Sequence, residues 1–296
     1  MTEISGHTQI VGVIGDPIQH SRSPQMHNAA ILERKLDCVY VPFHVRSGGL
    51  REAIEGFKAL NVLGVNVTIP HKQAVMPILD DVSHEATLIG AANTLIFCDG
   101  RVSGDNTDAQ GFLRGMTEEG IDIPVGGSAV VLGAGGAARA VVVALALSRL
   151  SLITIANRTR LKATQLKREL SSISETEISV VDLASSQFNL AIRSADLLVN
   201  TTSVGMQASD QLLIDPNSLN SKTIVYEIVY TPPETPLLQV AREKGCRTIG
   251  GVGMLVHQGA IAFEKWIGIV PNVQTMRIAL EQALCQKKCR FIDYGK

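Results

Sequence analysis

The run Gly133-Ala134-Gly135-Gly136-Ala137-Ala138 stands directly between a short apolar segment, residues 129–132, and a longer apolar stretch, residues 137–147. Strand, glycine turn and helix in immediate succession constrain this part of the chain to a βαβ unit of a parallel sheet. Gly133 permits the tight turn, Gly135 lets the backbone approach a pyrophosphate, and Ala138 takes the small-residue position where helix meets sheet. The start of that helix offers unpaired N–H groups, so the run reads as the phosphate loop of a dinucleotide site. A glycine-rich turn that binds nothing is the plainer alternative, and the strand-to-helix setting weighs against it.

Strands and helices alternate around this unit. Apolar runs at 152–156, 178–182, 197–200, 223–229 and 247–249 read as further strands, with a polar helix from about Thr159. Upstream, residues 10–14 read as a strand ending at Gly15, and Ser23-Pro24 as an N-cap and first-turn proline for a helix to about Leu36. Residues 39–45 form a strand, Leu50, Ile54, Phe57 and Leu60 share one helical face, and residues 64–69 form a strand stopped by Pro70. Residues 93–97 turn back through Cys98-Asp99-Gly100-Arg101 as a hairpin, and 107–119 read as a helix ended by Gly120. After Gly250-Gly251 only helices remain, around 257–266 and 273–286, and they need an apolar surface to cover. At 296 residues the chain is long enough for two such α/β domains.

Composition narrows the class of partner. The net charge of −1 balances 27 basic against 28 acidic residues with no long run of one sign, which argues against nucleic acid and membrane surfaces. The apolar stretch 137–147 is interrupted by Arg139 and is too short to span a bilayer. The polar N-terminus, residues 1–9, lacks the pattern of a secretion signal, so a cytoplasmic location is expected. Five scattered cysteines lack zinc-site spacing; Cys285 and Cys289 lie four apart, but packing accounts for them and no metal is implied.

The chemistry lies upstream of the glycine loop. Lys72, in Thr68-Ile69-Pro70-His71-Lys72, falls at the carboxyl end of a strand, where open α/β sheets place ligands; Asp108 closes the run Gly104-Asp105-Asn106-Thr107-Asp108. An amine and a carboxylate beside a nicotinamide are what carbonyl reduction needs, since the alkoxide that hydride creates must receive a proton. Taken singly, Lys72 reads as a surface lysine and Asp108 as a helix cap; the assignment requires that they share one cleft. Past the strand 152–156, where an acid would select NAD, stand Asn157-Arg158-Thr159-Arg160. These supply positive charge and donors for a 2′-phosphate, so NADP is expected, with Arg160 equally readable as a solvated arginine. Ser21-Arg22-Ser23-Pro24 places hydroxyls at a helix start, where they can meet a carboxylate or simply cap the helix.

Seven runs together resemble those of shikimate dehydrogenases, in the same order and over nearly the whole chain. They are residues 12–24, residues 66–72, Gly90-Ala91-Ala92-Asn93-Thr94, residues 104–108, residues 133–137, Asn157-Arg158-Thr159 and Gly253-Met254-Leu255-Val256-His257-Gln258. The resemblance implies reversible NADPH-dependent reduction of 3-dehydroshikimate to shikimate, a step of aromatic amino-acid biosynthesis. It implies a substrate-binding α/β domain with a mostly parallel sheet (1–107 and 251–296), whose C-terminal helices pack back on it, and an NADP-binding Rossmann domain (108–250). Residue by residue, Ser21, Ser23 and Tyr230 match groups that hold the substrate carboxylate; Thr68, Asn93 and Gln258 match groups on the ring hydroxyls; Lys72 and Asp108 match the catalytic pair. Gly133, Ala134, Gly135, Gly136 and Ala137 match the pyrophosphate loop, and Asn157, Arg158 and Thr159 the 2′-phosphate pocket. Thr202, Ile228, Gly251 and Met254 match the nicotinamide surroundings. Glu227 departs from the pattern, which usually has Asp there. A quinate or dual-specificity dehydrogenase is the nearest rival, a non-catalytic NADP-binding regulator a more distant one, and a monomer or homodimer is expected.

Overall fold

The apolar runs become strands and the amphipathic stretches helices in a computed structural model that describes residues 4–207 and 209–290, with side chains as far as residue 285. Two units emerge, Met1–Gly111 with Leu255–Lys296, and Phe112–Met254. The first unit opens with β1 (Gln9–Gly15), α1 (Ser23–Glu33), β2 (Cys38–His44), α2 (Leu50–Ala59), β3 (Gly64–Val67) and α3 (His71–Ala74). It continues through β4 (Asp81–Val82), α4 (His84–Ile89), β5 (Thr94–Cys98) and β6 (Arg101–Asp105) to α5 (Asp108–Glu118), which runs on into the second unit. Its sheet has the order β2-β1-β3-β5-β6-β4. Strands β1, β2 and β3 are parallel, β4 is parallel to β6, and β5 is antiparallel to both neighbours. The β5–β6 hairpin closes through Asp99 and Gly100, both at positive φ, which the two-residue turn requires.

Three local expectations shift. Helix α1 has Arg22, not Ser23, at its N-cap, because the chain turns helical one residue earlier and the Ser21 hydroxyl accepts the Ser23 N–H at 3.3 Å. It ends at Glu33, short of Leu36, because Lys35 takes a left-handed conformation at φ 53. Helix α2 buries Leu50, Ile54 and Phe57, but Leu60 lies past its last residue and is 70% exposed. The segment between Lys72 and Asn93, with α4 capped by the Ser83 side chain, had no element assigned from sequence.

The second unit is uniform. It contains β7 (Ser128–Leu132), α6 (Gly136–Leu147), β8 (Leu152–Ala156), α7 (Arg160–Leu170), β9 (Glu177–Val181), α8 (Ser186–Ser194), β10 (Leu197–Asn200), β11 (Ile224–Glu227), α9 (Pro236–Glu243) and β12 (Arg247–Ile249). All strands are parallel in the order β12-β11-β10-β7-β8-β9. Strand order reverses between β7 and β10, so the connections that follow them leave toward opposite faces of the sheet, the switch point at which doubly wound sheets bind ligands. Helix α6 is buried all round from Ala138 to Ala146, and its Arg139 is neutralised by Glu169 at 2.5 Å.

The chain then returns to the first unit as α10 (Val252–Ile267) and α11 (Val273–Arg290), the latter packing on α1. At Gly64 the Trp266 indole occupies the space a side chain would fill and donates to the Leu95 carbonyl at 2.8 Å, which locks α10 onto the sheet. Behind it His27 stacks on Tyr40 at 4.2 Å, and burial pushes its imidazole down to about 3, so it packs as a neutral ring. The C-terminal helices thus cover the first unit, as expected from their lack of any strand of their own. Cys285 on α11 is free and exposed; the side chain of Cys289 lies outside the described residues.

Candidate active site

Lys72 and Asp108 meet within the first unit. The Lys72 ammonium donates to Asp108 Oδ2 at 2.5 Å, with the two side chains only 15% and 5% exposed. The short helix α3 presents the lysine, and the Ala92 N–H bonds its carbonyl at 2.9 Å, tying its backbone to the start of β5. Asp108 opens α5, where the helix N-terminus favours a carboxylate, and its own N–H is held by Asn106 Oδ1 at 3.0 Å.

Asn93 joins this pair to its surroundings. Its Oδ1 accepts from the Thr107 N–H at 2.8 Å, which fixes the amide so that Nδ2 faces Asp108 Oδ1, also at 2.8 Å. The two amide hydrogens have three acceptors in reach: Thr107 Oγ1 at 3.0 Å, Asp108 Oδ1 at 2.8 Å and Gln258 Oε1 at 3.3 Å. Gln258 has the longest bond and is the group most easily drawn to another donor. Four of the expected residues, Lys72, Asp108, Asn93 and Gln258, therefore form one hydrogen-bonded cluster. An ammonium held against a carboxylate in a mostly buried site can donate a hydrogen bond or a proton to an oxygen that gains charge.

The other expected residues of this unit make no hydrogen bond to the cluster among the described residues. Ser21 and Ser23 are adjacent at the start of α1, Ser21 half-buried and Ser23 buried. Thr68 follows β3, its N–H bonded to Ile14 at 2.9 Å, with its methyl beside Gly15.

Sequence reasoning assigned no role to the polar residues behind the cluster. Tyr40 donates to Asn66 Oδ1 at 2.8 Å, Asn66 Nδ2 reaches the Asn93 carbonyl and Thr94 Oγ1 at 3.3 Å, and Thr94 donates to Asn93 Oδ1 at 3.0 Å. Burial pushes the Asp105 carboxyl up, but Lys265 at 2.6 Å, Ser83 at 2.6 Å and the Asn106 N–H outweigh this and hold it below the ordinary range. The available signal was polar side chains at the ends of otherwise apolar strands.

In the second unit the residues expected to form the phosphate loop join the end of β7 to the start of α6. Gly133 has φ +115, and a side chain there would press on Thr201 Oγ1; its N–H bonds the Ala156 carbonyl at 2.8 Å. Ala134 is half-buried, while Gly135 has open space around it and stands at the N-cap of α6, with Gly136 and Ala137 in the first turn and no side chain capping the end. These backbone N–H groups fit an anion, and the missing Cβ atoms leave room for it. At the end of β8, Asn157 Nδ2 bonds the Thr159 carbonyl at 2.9 Å and shapes the turn. Arg160 is engaged by Asp182 at 2.5 Å, whereas exposed Arg158 has no ion pair among the described residues, so its guanidinium stays available to a phosphate.

Thr202 bonds Asn200 Oδ1 through N–H and hydroxyl at 3.0 and 2.8 Å. The Ile228 N–H reaches the Asn200 carbonyl at 3.1 Å, and Gly251 abuts the Ile228 carbonyl so closely that no side chain fits between them. Half-buried Tyr230 follows Ile228 and Val229, and Met254 is buried beside Gly115. Glu227, singled out earlier only as a departure, is fully buried, and burial pushes its carboxyl up to about 7 against hydrogen bonds from Asn200, Val229 and Thr235. Among the described residues no cluster of three or more His, Cys, Asp or Glu side chains could hold a metal ion, and no helix is long and apolar enough to cross a membrane.

Comparison with known proteins accounts for both units. Residues 13–95 match the shikimate dehydrogenase substrate binding domain, residues 125–217 the shikimate / quinate 5-dehydrogenase model, and residues 251–281 the shikimate 5'-dehydrogenase C-terminal domain. A shikimate dehydrogenase (NADP(+)) of Desulforamulus reducens is 42% identical over 96% of this chain and 98% of its own length. The crystal structure of the Listeria monocytogenes shikimate 5-dehydrogenase with shikimate and NAD aligns at TM-score 0.86 and 37% identity, covering 95% of this chain and 99% of that one. The Thermus thermophilus enzyme with NADP(H) and shikimate aligns at TM-score 0.83 and 36% identity, covering 93% of this chain and 100% of that one. Identity of this order along almost the whole of both chains, carried by a mixed-sheet unit and a doubly wound one, makes this chain a member of the shikimate dehydrogenase family.

Proposed function

We propose that this chain is an NADP-dependent oxidoreductase that interconverts 3-dehydroshikimate and shikimate in aromatic amino-acid biosynthesis, with the substrate in the first unit and the cofactor in the second. The observation that carries the reading is the Lys72–Asp108 pair at 2.5 Å, braced by Asn93. Ser21 and Ser23 take the substrate carboxylate, and Thr68, Asn93 and Gln258 the ring hydroxyls. Gly133, Ala134, Gly135, Gly136 and Ala137 receive the pyrophosphate, Asn157, Arg158 and Thr159 the 2′-phosphate, and Thr202, Ile228, Gly251 and Met254 surround the nicotinamide.

Bound NADPH supplies the hydride. The Lys72 ammonium hydrogen-bonds the substrate carbonyl oxygen and stabilises the charge that grows on it, and the proton that completes the hydroxyl comes from the Lys72–Asp108 pair. Asp108 keeps the Lys72 side chain aimed, and in the reverse direction the pair takes the proton back. Asn93 holds Asp108 in place, so the pair needs little rearrangement when substrate arrives.

The direct test is reduction of NADP+ by the purified chain with shikimate. Turnover supports the reading, turnover with quinate and NAD instead moves the chain to the quinate branch of the family, and no turnover with any of these pairs overturns it. A reducing, cytoplasmic location belongs to the same proposal and is supported by the free state of the four described cysteines. So does a monomer or homodimer, which light scattering on the purified chain checks.

A further inference from the structure

Glu227 stands at the carboxyl end of β11 with 0% of its surface exposed. Both carboxylate oxygens accept from Asn200 Nδ2, at 3.0 and 2.9 Å. The Val229 N–H adds a bond at 2.9 Å, and the Thr235 hydroxyl, which also caps α9, adds one at 3.2 Å. Among the described residues no basic side chain pairs with it. Asn200 Nδ2 and the Val229 N–H can only donate here, whereas the Thr235 hydroxyl can turn to accept, so an amide hydrogen in place of a carboxylate oxygen would meet the Asn200 amide.

What this carboxylate joins matters more than what it costs. Asn200 ends the neighbouring strand β10 and in turn holds the Val204 carbonyl at 3.0 Å and both polar groups of Thr202. Val229 lies between Ile228 and Tyr230. One side chain therefore ties together two loops that leave adjacent strand ends beside the topological switch point. Backbone bonds hold only the first residue of each loop, Thr201 N–H to the Leu132 carbonyl at 2.9 Å and Ile228 N–H to the Asn200 carbonyl at 3.1 Å; past them the Asn200–Glu227 bridge holds Val204 and Val229.

We propose that Glu227 is a positioning residue for hydride transfer: by bracing Asn200, Val229 and Thr235 it sets Thr202 and Ile228 in place around the nicotinamide. The proposal rests on the reading that these loops face the nicotinamide end of NADP(H). Its signature is a loss concentrated at that end of the cofactor, since residues 133–137 follow β7, Arg158 follows β8, and neither bonds to Glu227 itself among the described residues.

The test compares the parent chain with Glu227→Gln and Glu227→Asp. Titrations with NADP+ and with adenosine 2′,5′-bisphosphate, which lacks the nicotinamide, are set beside kcat and KM for shikimate. Glu227→Gln is expected to lose about tenfold or more in kcat and to bind NADP+ more weakly, with KM for shikimate and affinity for the bisphosphate within about twofold of the parent. Glu227→Asp keeps an acceptor-only group one methylene shorter and is expected to restore most of that loss. Parental kcat and NADP+ affinity in Glu227→Gln, equal weakening of both ligands, or an Asp variant no better than Gln each overturns the proposal. Should Glu227→Gln fail to fold, Glu227→Asp is read alone, with a loss of about threefold in kcat and unchanged bisphosphate binding expected; parental kcat or equal loss of both ligands overturns it. A parent chain that binds neither ligand refutes the cofactor reading itself and takes this proposal with it.

Discussion

The two units solve opposite electrostatic problems. In the first, the reactive groups are already satisfied: Lys72 has Asp108, Asp108 has Asn93, and Asn93 has Thr107 and Gln258. In the second, the candidate binding groups are left unspent, with an uncapped helix start at Gly135 and, among the described residues, an unpaired Arg158 just past β8. A site that moves protons needs its geometry fixed before the substrate arrives, whereas a site that holds phosphate needs donors with nothing yet to donate to. Removing a member of the first should therefore abolish chemistry, and removing a member of the second should change which cofactor is preferred.

The hardest blow to this contrast falls on Lys72. Lys72→Ala is expected to lower kcat for shikimate oxidation about a thousandfold while KM for shikimate moves only a few-fold, as for a group used mainly in the transition state. Steady-state kinetics decide this, and near-parental turnover would remove the ammonium from the reaction. Asp108→Asn is expected next, at about a hundredfold in kcat, because the amide holds the lysine less firmly and sets an N–H against Asn93 or Lys72. In the second unit the effect should be one of selectivity: Arg158→Ala is expected to lower the ratio of kcat/KM for NADPH over NADH by about ten- to a hundredfold. Arg160→Ala, whose partner is Asp182, should leave that ratio within about twofold. Equal effects of the two arginines would erase the distinction between a spent and an unspent cation.

A smaller, pH-dependent difference follows from Glu227, a buried acid with no cation among the described residues. Its carboxyl is raised from 4.5 to about 7. Between those values the folded chain keeps a proton that the unfolded chain releases, so this group's contribution to stability is greatest below about pH 4.5, falls as pH rises to about 7, and is level above that. The Tm of the parent minus that of Glu227→Gln should therefore fall as pH rises from about 4.5 to about 7 and be level on either side. A flat difference would mean the carboxyl titrates as it does in water.

The second unit was the more legible in sequence because its rules are local. An apolar strand, a glycine turn and a helix follow one another in the chain, and β8, β10 and β12 fall on the runs that predicted them. Helix α8 escaped notice because Ser186–Ser194 buries only Phe188 and Ile192, too few residues to mark a face. In the first unit the residues of the candidate site were legible singly, and their convergence was not, since Lys72, Asn93, Asp108 and Gln258 meet across as many as 165 positions of chain. Ser23 misled for a local reason: a serine before a proline suits the N-cap, yet Ser21 supplies the oxygen and the helix begins at Ser23 itself. The supporting residues Asn66, Thr94 and Asn106 carried only a faint signal, because a buried amide or hydroxyl reads like a surface one until its partners are known.

The hairpin tip at Asp99 and Gly100 carries a practical consequence. A side chain at Gly100 would meet nothing within 4 Å, and the paired rungs from Cys98–Arg101 down to Thr94–Asp105 separate the tip from the run that ends in Asp108. A peptide tag or reporter spliced in at this point would dangle from a self-supporting ladder and leave its far end in register. The chain thus has a handle for immobilisation or labelling that stands several rungs away from the candidate pair.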